Sequence, residues 1–313
     1  MKSIMYHYVQ KDNLFLPSFN HLHVDDFIKQ LQYFASNFGF VSQEDFLICL
    51  ERGTPLPGVV LTFDDGLKCH YSEVFPILKN LGIWGIFYVP TGVYQKKKLL
   101  DVHRIHLLLG LGKSEEILDY LKNSIKPEYL TDINRKEFTE KTYQIQQNDE
   151  ATFLIKRILN YYISYEFRES VLDEMCDVFV PKKLTTFSEF YVNENELVEM
   201  EKEGMIIGSH TVNHPVLSKL DDDIQRNEIV HSFEDLIRMG LSIPLKTFCY
   251  PYGGFHSFTS ATEQILKEEN CLFSFNVESR DIYKHDLLYR KQALPRYDCN
   301  EFPYGQIRRL KKA

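Results

Sequence analysis

Val59-Val60-Leu61-Thr62-Phe63-Asp64-Asp65-Gly66 is the stretch on which the reading of this chain turns. Five residues of strand length, almost wholly apolar, run straight into two carboxylates and a glycine. Pro55, Pro57 and Gly58 punctuate the turn before them. A strand that is apolar on both sides belongs to a parallel sheet covered on both faces, where alternation between core and solvent disappears. Working outward, Ser3 to Val9 reads as a first strand. Val24 to Phe38 places Phe27, Leu31, Phe34 and Phe38 at helical spacing, with Gly39 as the stop. Ser42 and Asp45 resemble a capping box opening a second helix. Beyond the stretch, Val74, Ile77, Leu78 and Leu81 line a helix that ends at Gly82, and Trp84 to Val89 forms the next strand. The alternation resumes later: a helix near Glu194 to Glu203, a strand from Met205 to Ser209, a helix from Asp222 to Met239 closed by Gly240, and strands at Thr247–Tyr250 and Leu272–Phe275. Strands alternating with amphipathic helices predict an α/β fold with a mainly parallel sheet.

From about Tyr94 to Phe190 the rhythm changes. Ile105, Leu108 and Leu109, then Phe153, Ile155, Ile158, Leu159 and Tyr162, keep helical spacing, and strand signals are few. The expected organisation is a barrel-like domain from residues 1–93 and 190–313, interrupted by a helical insertion at 94–189. That insertion would serve as a lid, a specificity element or a contact between copies in a homo-oligomer.

Composition narrows the partners. The chain has 313 residues, 44% hydrophobic and 26% charged, with a formal net charge of -8. An acidic chain lacks the basic face that phosphate neutralisation requires, which excludes a nucleic-acid partner. The first residues carry a charge but no apolar run of signal-peptide length, and no uncharged apolar stretch reaches transmembrane length. The six cysteines are scattered, with no Cys-x-x-Cys pair, as expected for free thiols in a reducing cytoplasm. Arg308-Arg309-Leu310-Lys311-Lys312 reads as a frayed basic tail, with weak contact to an anionic membrane surface as the alternative.

Three segments at strand ends bear chemistry. Asp64-Asp65-Gly66 alone is a common turn, but polar residues at the C-terminal ends of barrel strands face the active-site mouth, and adjacent carboxylates there need a compensating cation or proton. Ser209-His210-Thr211-Val212-Asn213-His214-Pro215 also follows an apolar strand, and its two histidines, four apart, can converge on one ion. One carboxylate with two imidazoles makes an open three-ligand site that leaves a place for water. Phe248-Cys249-Tyr250-Pro251-Tyr252-Gly253-Gly254 is the third segment.

Thr62-Phe63-Asp64-Asp65-Gly66 and Ser209-His210-x-x-x-His214-Pro215 resemble the first two motifs of the polysaccharide deacetylases (the NodB-homology group, carbohydrate esterase family 4). Tyr250-Pro251-Tyr252-Gly253 resembles their third. Tyr6-His7, Phe27-x-x-x-Leu31, Pro76-Ile77-Leu78 and Leu294-Pro295-Arg296 extend the likeness over most of residues 1–94 and 190–313. The resemblance implies a deformed (β/α) barrel and a hydrolase that removes N-acetyl groups from a sugar or glycan with a divalent metal, usually zinc, with cobalt or nickel as alternatives. By motif position Asp65, His210 and His214 would hold the metal, Asp64 would be the general base, and the backbone N–H of Tyr252 would face the oxyanion.

Two departures from the family pattern shape the expectations. Many relatives begin the third motif with an arginine that orients the base, and here Cys249 stands there. Arg296, or failing it Arg290, is expected to supply that guanidinium. The C-terminal Leu-x-His of many relatives is absent as well. Tyr6-His7 instead resembles the N-terminal Tyr-His of the poly-N-acetylglucosamine deacetylases, which makes His7 the expected general acid, with His256 as fallback. Asp221-Asp222-Asp223 reads as a helix N-cap, Lys96-Lys97-Lys98 as a solvated loop, and His103 and His106 as surface or cap residues. The substrate expected is an N-acetylated nucleotide sugar, lipid-linked sugar or growing glycan in the cytoplasm, within cell-surface polysaccharide synthesis. The same metal site would also serve an O-acetyl ester or a non-sugar amide, and a glycan-binding protein without turnover is the non-enzymatic alternative.

Overall fold

Nine strands carry the framework of this computed structural model, which describes residues 1–13, 15–140, 142 and 149–306. They are β1 (Lys2–Tyr6), β2 (Val9–Gln10), β3 (Leu22–His23), β4 (Val59–Phe63), β5 (Ile86–Val89), β6 (Ile206–Ser209), β7 (Thr247–Cys249), β8 (Phe273–Phe275) and β9 (Tyr297–Asp298). Seven form one curled parallel sheet in the order β8-β7-β6-β5-β4-β1-β9, while β2 and β3 pair separately. The fold is mixed α/β and the sheet is a half-barrel. The expected basic tail at Arg308–Lys312 lies outside the described residues, and no helix among those described is long and apolar enough to cross a membrane.

Register explains why three distant motifs share one rim. Tyr6 pairs with Phe63, Phe63 with Phe87, Val89 with Ser209, and Cys249 with Phe275. The strand ends therefore fall within about two residues of one another, β5 running on to Val89 past the end of β4, and the residues just beyond them (His7, Asp64, His210, Tyr250) leave from one edge. Aromatic rings lock β1, β4 and β5 together: Tyr6 stacks on Phe63 at 5.2 Å and Phe63 on Phe87 at 4.7 Å. Truncating such a fully buried ring costs about 3–5 kcal/mol. A second layer places Phe46, Cys49 and Leu50 of the helix Gln43–Arg52 against Val60, Ile86, Tyr88 and Phe273.

One short segment touches both margins of the sheet. Leu294 bridges Phe275 of β8, with its N–H donating to Ser274 O at 2.9 Å, and Asn276 N–H returns a bond to Leu294 O at 2.8 Å. Three residues later Tyr297 pairs with Ile4 of β1, and Asp298 with Met5.

Three local expectations need correction. The first strand stops at Tyr6 rather than Val9: the carbonyl of Tyr8 is taken by Leu22 N–H, and the chain there turns into the β2–β3 pair. The helix before Gly82 begins as a widened π-type turn, His70–Val74, before continuing as Phe75–Leu81. Asp221 occupies the N-cap of the helix Asp222–Arg238, but its side chain makes no capping bond.

Contacts divide the described chain into two compact units. The first comprises Met1–Lys11, His21–Lys96 and residues 191–306; the second comprises Lys97–Phe190 with Asp12–Asn20. No pattern in the sequence hints that Asp12–Asn20 joins the helical unit. Gly110 allows it, because a side chain there would meet Phe19 at 2.9 Å, and Ser18 N–H donates to Gly110 O at 3.0 Å. The helices Asp101–Gly110 and Tyr165–Phe179 of this unit bury Arg104 and Arg168 against Asp101. His103 is fully buried, its ring 5.1 Å from that of Phe190, rather than on the surface.

Candidate active site

Asp65 takes a left-handed backbone, with φ of 82°, directly after β4. Thr211 and His214 (φ 66° and 55°) do the same in the loop after β6, and Tyr252 (65°) in the loop after β7. Such conformations cost non-glycine residues about 1–3 kcal/mol each and persist where the surroundings impose them. All four lie in the three motif loops.

The strain brings three donors together. Asp65 Oδ1 stands 3.4 Å from His210 Nε2 and 3.4 Å from His214 Nε2, and the three ligand atoms all lie within 4.8 Å of one another. All three residues are buried. Two donors about 2.1 Å from one ion at a tetrahedral angle stand about 3.4 Å apart, so the spacing fits a zinc-like cation. The tautomer fits as well. His210 Nδ1 donates to Cys249 O at 2.7 Å, which leaves the Nε2 lone pair facing Asp65. A second cluster, Asp64, His210 and Cys249, also has metal-ligand spacing. Its groups are committed elsewhere, because both oxygens of Asp64 accept from an arginine and His210 Nδ1 is bonded to the Cys249 carbonyl. The Asp65 group is the one that suits an ion.

That arginine is Arg296. Its Nη1 and Nη2 donate to the two Asp64 oxygens at 2.8 Å each, and Nη1 also reaches Thr62 Oγ1 at 3.0 Å. Arg296 is fully buried, and Cys249 Sγ fills the remaining space, 2.9 Å from Nη2 and 3.4 Å from Asp64 Oδ2. Burial alone would push the Asp64 carboxyl up. The Arg296 charge and hydrogen bonds, helped by His210 and His7, outweigh it and hold the group below the usual carboxylate range. Arg290 stands elsewhere, its guanidinium 4.9 Å over the Phe255 ring.

His7 Nε2 lies 4.0 Å from the other Asp65 oxygen, with a side chain 38% exposed. The Tyr252 ring packs 5.0 Å from His214. Its left-handed turn requires Gly253 next, where a Cβ would strike Val277 at 2.2 Å. His256 belongs to neither donor cluster among the described residues.

The sequence reading missed what holds the histidine loop. Glu228, on the inner face of the helix Asp222–Arg238, accepts from Val212 N–H at 3.0 Å, Asn213 N–H at 2.8 Å and Asn213 Nδ2 at 2.6 Å. Those are residues between the two imidazoles. The loop after β5 braces it from the other side, Thr91 N–H donating to Thr211 O and Gly92 N–H to Val212 O. A Cβ at Gly92 would meet that carbonyl at 2.7 Å. Replacing Glu228 by alanine is therefore expected to weaken metal binding about 10–100-fold, as loss of ligand-supporting bonds does elsewhere. Titration against a competing chelator measures this, and unchanged affinity would remove Glu228 from the site.

The family profile described as polysaccharide deacetylase matches residues 51–271, well over half of the sequence and inclusive of all three motifs. The chain belongs to the polysaccharide deacetylase family. It is accordingly a hydrolase, and the deacetylase fold recurs among solved structures. The Streptococcus pyogenes deacetylase PplD in complex with acetate aligns with a TM-score of 0.60 at 18% identity, covering 97% of this chain and 95% of that one. A de-N-acetylase from Aggregatibacter actinomycetemcomitans gives 0.52 at 16%, covering 94% and 93%. IcaB from Ammonifex degensii gives 0.50 at 18%, covering 88% and 82%. At these identities the likeness establishes the fold of the deacetylase. No curated protein matches its sequence.

Proposed function

We propose that this deacetylase removes N-acetyl groups from a sugar-containing substrate, using zinc held by Asp65, His210 and His214. The observation that carries the proposal is the pairing of that three-donor cluster with a second carboxylate, Asp64, clamped by Arg296 beside it. A divalent ion there would supply Lewis acidity, acidifying water and polarising the acyl carbonyl. Every other part falls to the chain. Asp64 stays ionised under the Arg296 fork and accepts the proton of the attacking water. The Tyr252 backbone amide, in the loop packed on His214, is the donor proposed for the oxyanion. His7, the more exposed group beside Asp65, is the acid proposed to protonate the departing amine. The similar deacetylase PplD forms a complex with acetate, the product this reaction would release, which supports the same chemistry here.

The test combines metal analysis of the purified protein with acetate release from a panel. The panel holds N-acetylated nucleotide sugars, lipid-linked sugars, N-acetylglucosamine oligomers and O-acetylated sugars. About one ion per chain and release from N-acetylated members alone is the expected result. Release only from O-acetylated members would replace amide hydrolysis by ester hydrolysis, and neither metal nor release from any member would overturn the proposal.

A further inference from the structure

His7 has a side chain on the rim and a backbone carbonyl that points inward to a histidine outside all three motifs. His70 Nε2 lies 2.8 Å from His7 O. A carbonyl can only accept, so Nε2 carries the proton and Nδ1 is the bare nitrogen. That Nδ1 has no hydrogen-bond partner among the described residues, and His70 is wholly buried. Burial also lowers the imidazole to about 4, so the ring is neutral at ordinary pH. The rings of Phe63 and Phe87 flank it at 5.7 and 5.8 Å, and the widened turn His70–Val74 starts at this residue. π-type turns inside helices concentrate at functional sites.

These facts describe a neutral, fixed, single-donor ring with one bond to make. β1 has ended at Tyr6, where Asp64 N–H donates to Tyr6 O at 2.9 Å. The next carbonyl, that of His7, is taken by a side chain instead of a neighbouring strand. We propose that His70 is a positioning residue for His7, anchoring its backbone so that its imidazole stands beside the Asp65 carboxylate. The proposal rests on the role given to His7 above and adds a residue that none of the family motifs contains. A phenylalanine at position 70 would pack between Phe63 and Phe87 but donate nothing; a glutamine would restore an N–H of similar reach.

The test uses the full zinc-loaded chain carrying His70→Phe or His70→Gln, with acetate release from an N-acetylglucosamine pentasaccharide as the assay. For His70→Phe, kcat should fall up to about 100-fold with KM nearly unchanged, because the loss is one of orientation. The pH limb of the general acid should move and zinc content should stay at the wild-type level. His70→Gln should recover most of the rate. In the metal-free chain with ¹³C-labelled histidine, the His7 ring signal should shift in His70→Phe and return towards wild type in His70→Gln. A His70→Phe variant with wild-type kcat and an unmoved His7 signal overturns the proposal. So does loss of zinc from that variant, or a glutamine no better than phenylalanine. Should the wild-type chain release no acetate while the His7 signal still follows residue 70, the proposed function is at fault and the anchoring role stands.

Discussion

Replacing Arg296 by alanine is expected to destabilise the fold by about 3–5 kcal/mol, because it strands a carboxylate in the interior without its counter-charge. The geometry makes the case severe: Asp64 is 2% exposed, and two of its three side-chain partners are Arg296 nitrogens at 2.8 Å. The pH dependence separates this cause from simple loss of volume. In the wild-type protein the folded pKa of Asp64 lies below its unfolded value. Its contribution is therefore complete above the ordinary carboxylate range and fades as pH falls through the lowered folded pKa. Without the guanidinium, burial dominates and the carboxyl rises above its ordinary value. Ionised Asp64 is then a liability at neutral pH that protonation relieves. Denaturant melts of the metal-free proteins should show the gap between wild type and Arg296→Ala narrowing from about pH 7 to about pH 4. A gap independent of pH would refute the ion-pair account.

Asp64→Asn addresses chemistry instead of stability. The amide keeps the shape of the carboxylate and one acceptor for Arg296 but cannot take a proton. The rate constant kcat is expected to fall about 10²–10⁴-fold, the usual contribution of a general base. Metal content should persist, since Asp65 and not Asp64 faces the two imidazoles. Asp65→Asn is the contrast, expected to lose metal and activity together. If Asp64→Asn lost the ion and Asp65→Asn kept it, the division of labour between these neighbours would be reversed.

Much of this was legible from the linear chain, for identifiable reasons. Runs such as Val59–Phe63 and Ile86–Val89 are buried at every residue and apolar but for the Thr62 and Tyr88 hydroxyls, because the sheet is covered on both sides, so the parallel class followed directly. The candidate donor cluster of Asp65, His210 and His214 was legible because each motif sits just past a strand end, and parallel register brings those ends to one rim. Arg296 could be named because many relatives begin the third motif with an arginine and Cys249 stands in that place here, so the guanidinium had to come from elsewhere.

What stayed hidden were partners joined only by folding. The helix Asp222–Arg238 carries Gln225, Glu228, Ser232 and Asp235, three or four residues apart and all buried. Each braces a neighbouring element: Glu228 the histidine loop, Ser232 the β6 end through Ser209, Asp235 the loop at Thr91, and Gln225 Thr262. A polar stripe at helical spacing was the signal, but on a charged helix it passes for the solvent face. His70 was invisible for another reason. Its importance lies in one backbone carbonyl 63 positions away, and no local pattern encodes that bond.

The segment from Leu294 to Asp298 makes the finished site depend on a part of the chain synthesised long after Asp64. It supplies the counter-charge of Asp64, 232 positions earlier, in the same motion that ties Phe275 to one side and Ile4 to the other. Contacts so distant along the chain are slow to form, since their entropy is spent before they return anything. A nascent chain with both histidines already synthesised thus still lacks the partner of Asp64. Without the segment, Asp64 would be buried with no guanidinium to hold its carboxyl low.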